Sequence, residues 1–99
     1  MIIRYVGYFP EYDCRSYTFE VREDQGDQRI FTLSVNKQAL SECKFKDQDI
    51  PDLCYAKMKR ELALETKEQP LPLAATISGL ELRTYLNEHY PARKKSFRS

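Results

Sequence analysis

Four side chains of this 99-residue chain have the chemistry of nucleophiles or soft metal ligands: Cys14, Cys43, Cys54 and His89. Together they match the ligand types of a structural zinc site. Their spacing does not. Structural zinc sites take two ligands from one short knuckle, and no two of these four fall within four residues of each other. As a nucleophile, Cys54 is the best placed. It lies about one turn into a helix, where the positive end of the helix dipole lowers a thiol pKa. Asp52 beside it acts in the opposite direction, and the one base available, His89, is remote in sequence. Cys54 also falls on the apolar stripe of its helix, where a free cysteine behaves as a small hydrophobe. His89 ends a second helix, where a cation caps the last carbonyls. The reading is therefore no catalytic, cofactor-binding or metal-ligating residue, with Cys54 or His89 the candidates if the chain is a small enzyme or ligand binder. The acids Glu11, Asp13, Asp24, Asp27, Asp47, Asp49 and Asp52 form no calcium-loop pattern or catalytic carboxylate pair, and Gly26 and Gly79 are too isolated to cradle a phosphate.

A second set of residues suits recognition. Tyr5, Tyr8, Phe9, Tyr12 and Tyr17 crowd the first segments. Aromatic rings on a sheet can stack on single-stranded bases. The strand-first order departs from the four-stranded RNA-binding sheets, and only Arg4 and Arg15 lie among the rings. Core packing and a subunit interface, where tyrosine is enriched, fit better. The other candidate is the C-terminal tail, whose Arg93, Lys94, Lys95 and Arg98 stand among residues 93–99 without an acid. Subtracting those four leaves twelve basic against fifteen acidic side chains in residues 1–92, a body near −3. The tail could attract phosphates, helped by Lys57, Lys59 and Arg60 on a helix face. Net charge of +1 gives no bulk attraction to a polyanion.

The elements that must position these residues follow from periodicity. Residues 2–9 are rich in Ile, Tyr, Val and Phe and read as a strand stopped by Pro10. Tyr17, Phe19 and Val21 alternate with Ser16, Thr18, Glu20 and Arg22. Phe31, Leu33 and Val35 alternate with Thr32 and Ser34. Two half-buried strands joined by residues 23–28, with Gly26 at positive φ, make an antiparallel hairpin that opposes Phe19 and Phe31. Asn36 or Ser34 caps a short helical turn over 37–42, and 43–46 is a short extended piece. The clearest helix opens at Asp49 with Pro51 in its first turn and Asp52 completing a capping-box-like pattern. Ile50, Cys54, Met58 and Leu62 step by four along it, flanked by Leu53 and Ala63. Pro70 and Pro72 end that region. A short strand over 73–77 precedes a capping box, Ser78 and Glu81, and a helix to about His89 that buries Leu82, Tyr85 and Leu86.

These elements predict an α+β fold: an antiparallel sheet of three to four strands packed against two helices. Residues 1–91 form one domain and 92–99 a flexible basic tail. The composition, 41% hydrophobic and 31% charged, is that of a globular chain. A domain of this size buries roughly 60–70% of its unfolded surface in one core. No run approaches the ~18 apolar residues of a membrane span, and residues 1–6 lack the charged and apolar regions of a signal peptide. The expectation is a cytoplasmic protein with reduced thiols. The Phe-Thr-Leu strand, Gln48–Tyr55 leading into Lys59–Ala63, and Ile77-Ser78 opening a helix with Tyr85 resemble short bacterial proteins of unknown function over residues 17–90. That resemblance implies a bacterial, cytoplasmic protein and carries over no catalytic residue. The function expected is a non-catalytic interaction or regulatory module, homodimeric through a tyrosine-bearing surface. Nucleic-acid binding through the tail is the alternative.

Overall fold

The computed structural model describes residues 1–24 and 26–90. Strand β1, Ile2–Pro10, pairs antiparallel with β2, Cys14–Arg22. A bulge at Val6 shifts the register between Tyr5 and Gly7. Strand β3, Gln28–Asn36, completes the hairpin in the expected register, with Phe19 directly opposite Phe31. The connecting loop closes through Glu23 N–H donating to the Asp27 carbonyl and Gly26 N–H to that of Glu23, and Gly26 takes φ +94°.

Helix α1, Lys37–Cys43, is capped by Asn36, whose side chain accepts from the backbone of Gln38 and Ala39. Lys44 then adopts a left-handed conformation, φ 54°, and its N–H bonds the carbonyls of Leu40 and Ser41. This ends the helix and turns Phe45 into the core. The extended piece expected over 43–46 is thus absent, because the helix cap consumes its first residues.

A 3₁₀ turn, Asp47–Asp49, runs directly into α2, Ile50–Ala63. Asp49 is itself helical and its side chain makes no capping bond. The turn supplies the first acceptor instead, the Asp47 carbonyl receiving the Ile50 N–H. The capping-box reading of Asp49 and Asp52 is corrected accordingly. Helix α2 buries Ile50, Leu53, Cys54, Met58 and Leu62, as the four-residue steps predict; Ala63 is exposed, and Lys57 replaces it on the buried side.

Strand β4, Ala74–Ile77, joins the other side of β3 in parallel. The sheet is mixed, in order β1-β2-β3-β4, because α1 and α2 together form the long crossover that a parallel neighbour requires. Helix α3, Gly79–His89, starts with the full Ser78–Glu81 capping box. Among the described residues this small α+β fold therefore has four strands, three α-helices and one 3₁₀ turn. All helices contribute to one core on one face of the sheet. Tyr17, Phe19, Val21, Phe31, Leu33, Val35 and Ile77 meet Leu40, Phe45, Ile50, Leu53, Cys54, Met58, Leu62, Leu82 and Tyr85. The opposite face carries Ser16, Thr18, Glu20, Arg22, Ile30, Thr32 and Ser34, which alternate with the core residues.

Candidate functional site

Among the described residues, β1 is paired on one side only, and it carries the largest run of exposed apolar side chains in the fold. Ile2 is 64% exposed, Val6 51%, Tyr8 55%, Phe9 67% and Tyr12, in the turn that follows, 98%. Register places Ile3, Tyr5 and Tyr8 on the core side, opposite Val21, Phe19 and Tyr17. Tyr5 leans on Phe19 with ring centroids 5.3 Å apart, and Tyr8 stacks on Tyr17 at 5.5 Å. The two rings carry the core outwards to the sheet edge, where it meets solvent. Burial pushes the hydroxyl pKa of Tyr5 and of Tyr17 upward, so both stay neutral.

Ile2, Arg4 and Phe9 face the other way, opposite Arg22, Glu20 and Ser16. Arg4 forms a close ion pair with Glu20, its Nε donating at 2.8 Å, and Arg22 approaches the same carboxylate. The bond from Arg4 holds the Glu20 carboxyl below its usual range. Arg4 is the one formal side-chain charge on β1, and it is neutralised within the fold. The poor alternation of residues 2–9 reflects a strand whose only charged side chain is Arg4, and the bulge at Val6 shifts which residues face the core on either side of it.

Of the residues singled out from sequence, Tyr5 and Tyr8 come together on this edge. Tyr12 stands at its end, its carbonyl accepting from Lys37 Nζ at 3.4 Å. Arg93, Lys94, Lys95 and Arg98 lie outside the described residues. Lys57 is not on an outer basic face with Lys59 and Arg60. It is buried, and its ammonium bridges Glu61 and Glu81 at 2.6 Å each. Burial alone would lower its pKa, but the two carboxylates outweigh that and raise it.

The cysteines separate. Cys14 opens β2, Cys43 ends α1 and Cys54 lies in the core, all with free thiols. Burial pushes the Cys54 thiol up to about 12, which removes the thiolate a nucleophile needs. Among the described residues no three His, Cys, Asp or Glu side chains are grouped to hold a metal ion.

Spacing did not reveal the grouping around His89. The Tyr85 hydroxyl donates to Asp52 Oδ2 at 2.8 Å and the Tyr90 hydroxyl to Asp49 Oδ2 at 2.8 Å. His89 stacks on Tyr85 with centroids 3.8 Å apart, its Nδ1 lies 3.0 Å from the Tyr85 carbonyl, and its Nε2 is 4.0 Å from Asp52 Oδ2. Burial, reinforced by Asp52, raises the Tyr85 pKa, so this phenol is a poor proton donor. The cluster fastens α3 to the start of α2. Its two halves, Asp49 and Asp52 on one side and Tyr85, His89 and Tyr90 on the other, are more than thirty residues apart in sequence, so no local pattern announces it.

No protein-family model, curated protein or solved structure matches this chain. Among the described residues no helix is long and apolar enough to cross a membrane.

Proposed function

We propose that this protein is a non-catalytic interaction or regulatory module of the bacterial cytoplasm, working through the free edge of β1. The observation that carries the reading is a nine-residue edge strand with Ile2, Val6, Tyr8 and Phe9 exposed. Natural sheets blunt their edges with lysine, proline, bulges, short strands or a covering element. Here the bulge at Val6 is the one such device within the strand; its only proline is terminal Pro10, and the core aromatics continue to the edge on both sides of the bulge. A strand of this kind recognises a partner by adding it to the sheet, main chain to main chain, with side chains selecting between partners.

Two further observations support the reading. Cys54, the best nucleophile candidate, is buried with a raised pKa, and His89 is engaged by Tyr85. Three free thiols suit a reducing compartment. The resemblance over residues 17–90 agrees in bringing no catalytic residue.

The test is a photo-crosslinking amino acid placed at Tyr8, with a second variant carrying it at exposed Leu80 on α3. Irradiation in the cell is expected to give adducts from position 8 and not from position 80. An absence of adducts at position 8 removes the reading.

A further inference from the structure

We infer that the partner strand is β1 of a second copy, paired antiparallel about a twofold axis near Val6. The inference rests on the interaction reading above and names its occupant. Four features of the structure select a second copy.

The first is self-complementary chemistry. Side chains on both faces of β1 are apolar or aromatic around a single arginine, so an isologous pairing sets apolar groups against apolar groups on each face. The second is charge. Arg4 is the only residue through which two copies could repel along this strand, and Glu20 neutralises it within each chain. Because the bulge shifts the faces between Tyr5 and Tyr8, the axis falls between Val6 and Gly7, which sets Tyr5 against Tyr8 and Arg4 against Phe9 and separates the two Arg4 positions by about 17 Å along the strands at ~3.4 Å per residue, beyond the screening length of about 8 Å in physiological salt.

The third is area. At about 150–250 Å² per aromatic side chain, Tyr5, Tyr8, Phe9 and Tyr12 leave on the order of 500 Å² in solvent. With Met1, Ile2 and Val6 added, the surface approaches the ~800 Å² per partner of a standard interface. The fourth is closure. The opposite edge is β4, only four residues long and preceded by Pro70 and Pro72. That edge is protected, so copies cannot chain β1 onto β4 into a filament. Pairing of β1 with β1 forms one continuous eight-stranded sheet and leaves no long edge open.

The experiment is light scattering on the full chain across a concentration series. Wild type is expected to reach twice 11.7 kDa, and Leu80→Lys to match it. Val6→Lys places a cation at the axis in both copies and is expected to weaken the dimer at least tenfold while circular dichroism stays unchanged. As a second arm, Val6→Cys in a Cys14→Ser, Cys43→Ser background is expected to form an interchain disulfide on oxidation. Leu80→Cys in the same background is expected to form none. A constant mass of one chain, or a dimer indifferent to Val6→Lys and uncrosslinked through Val6→Cys, overturns the inference. Crosslinks from position 8 to a different protein, with a monomeric wild type, would overturn self-pairing and leave the interaction reading standing. No adducts at all would remove both.

Discussion

Tyr85, at the middle of α3, donates its hydroxyl to Asp52 in the first turn of α2 across 2.8 Å, and this bond ties α3 to the helix that contributes the most core side chains. Asp52 is therefore a tertiary acceptor and not a helix cap. Tyr85→Phe removes the donor and keeps the ring against Phe45 and His89. The expected loss is about 1 kcal/mol, below the range for a bond to a charged group because Asp52 is exposed, measured by urea unfolding. The Tyr85 pKa is raised on folding by burial and by Asp52. Above the ordinary tyrosine value of about 10 the unfolded chain loses its proton first, so this contribution to stability falls as pH rises. In Tyr85→Phe that alkaline slope is expected to be shallower. An unchanged slope would show that the hydroxyl does not couple to folding.

Lys57 is the cation that two partly exposed carboxylates of different elements share. Lys57→Met leaves Glu61 and Glu81 facing each other without it. We expect a loss of about 2 kcal/mol at neutral pH, below the range for a fully buried pair because the glutamates still meet solvent. The pH dependence is the sharper test. In wild type, burial would raise the Glu81 pKa, but Lys57 and the Ser78 backbone N–H outweigh it and hold the carboxyl below 4.5. That stability is present above the unfolded value and is lost as pH falls through the folded one. In Lys57→Met the carboxyl is expected to rise above its unfolded value, so the variant gains stability as pH falls from 7 towards 5. A parallel pH profile for both proteins would refute the assignment.

Cys54 has a raised pKa, about 12, while Cys14 and Cys43 are half-buried on other elements. With a chromogenic disulfide reagent at pH 8, Cys14 and Cys43 are expected to react within the native state. Cys54 should react only at the rate of unfolding. Labelling of Cys54 at the rate of an unfolded peptide would reopen the nucleophile reading.

Lys44 closes α1 in a left-handed conformation that glycine adopts without cost. Lys44→Gly is expected to stabilise the protein by up to about 1 kcal/mol, since relief of the side-chain clash outweighs the added freedom of the unfolded chain. Thermal unfolding checks this. A lower midpoint would mean that the lysine side chain contributes more than its backbone strain costs.

Phe19 and Phe31 are opposed across the β2–β3 ladder and both are buried. Either phenylalanine replaced by alanine is expected to cost about 3–5 kcal/mol. The double variant should fall short of the sum, because the second truncation enlarges a cavity the first has opened. Full additivity in urea unfolding would indicate separate packing environments.

Much of this fold is legible in the sequence because its signals are local. The period-two runs around Phe19 and Phe31, the Ser78–Glu81 box and the four-residue steps from Ile50 to Leu62 each depend on residues within a few positions, and each appears where the pattern places it. Asn36 capping α1 is of the same kind. The exposed edge of β1 was legible in part. Tyr5, Tyr8 and Phe9 stand out by composition, whereas the exposure of Ile2 and Val6 follows only once the strand order shows β1 at an edge. The missing polar face of residues 2–9 was the available signal.

The sequence by itself determined the types of the long elements, the hairpin register and the apolar stripe of α2, because side-chain period acts over one turn or one strand. Only the tertiary structure decided the parallel entry of β4, the burial of Lys57 between Glu61 and Glu81, and the partnership of Asp52 with Tyr85. It also decided that β1 is an edge strand. Each of these depends on which elements lie side by side, and that is set by how all the apolar faces close over one core at once.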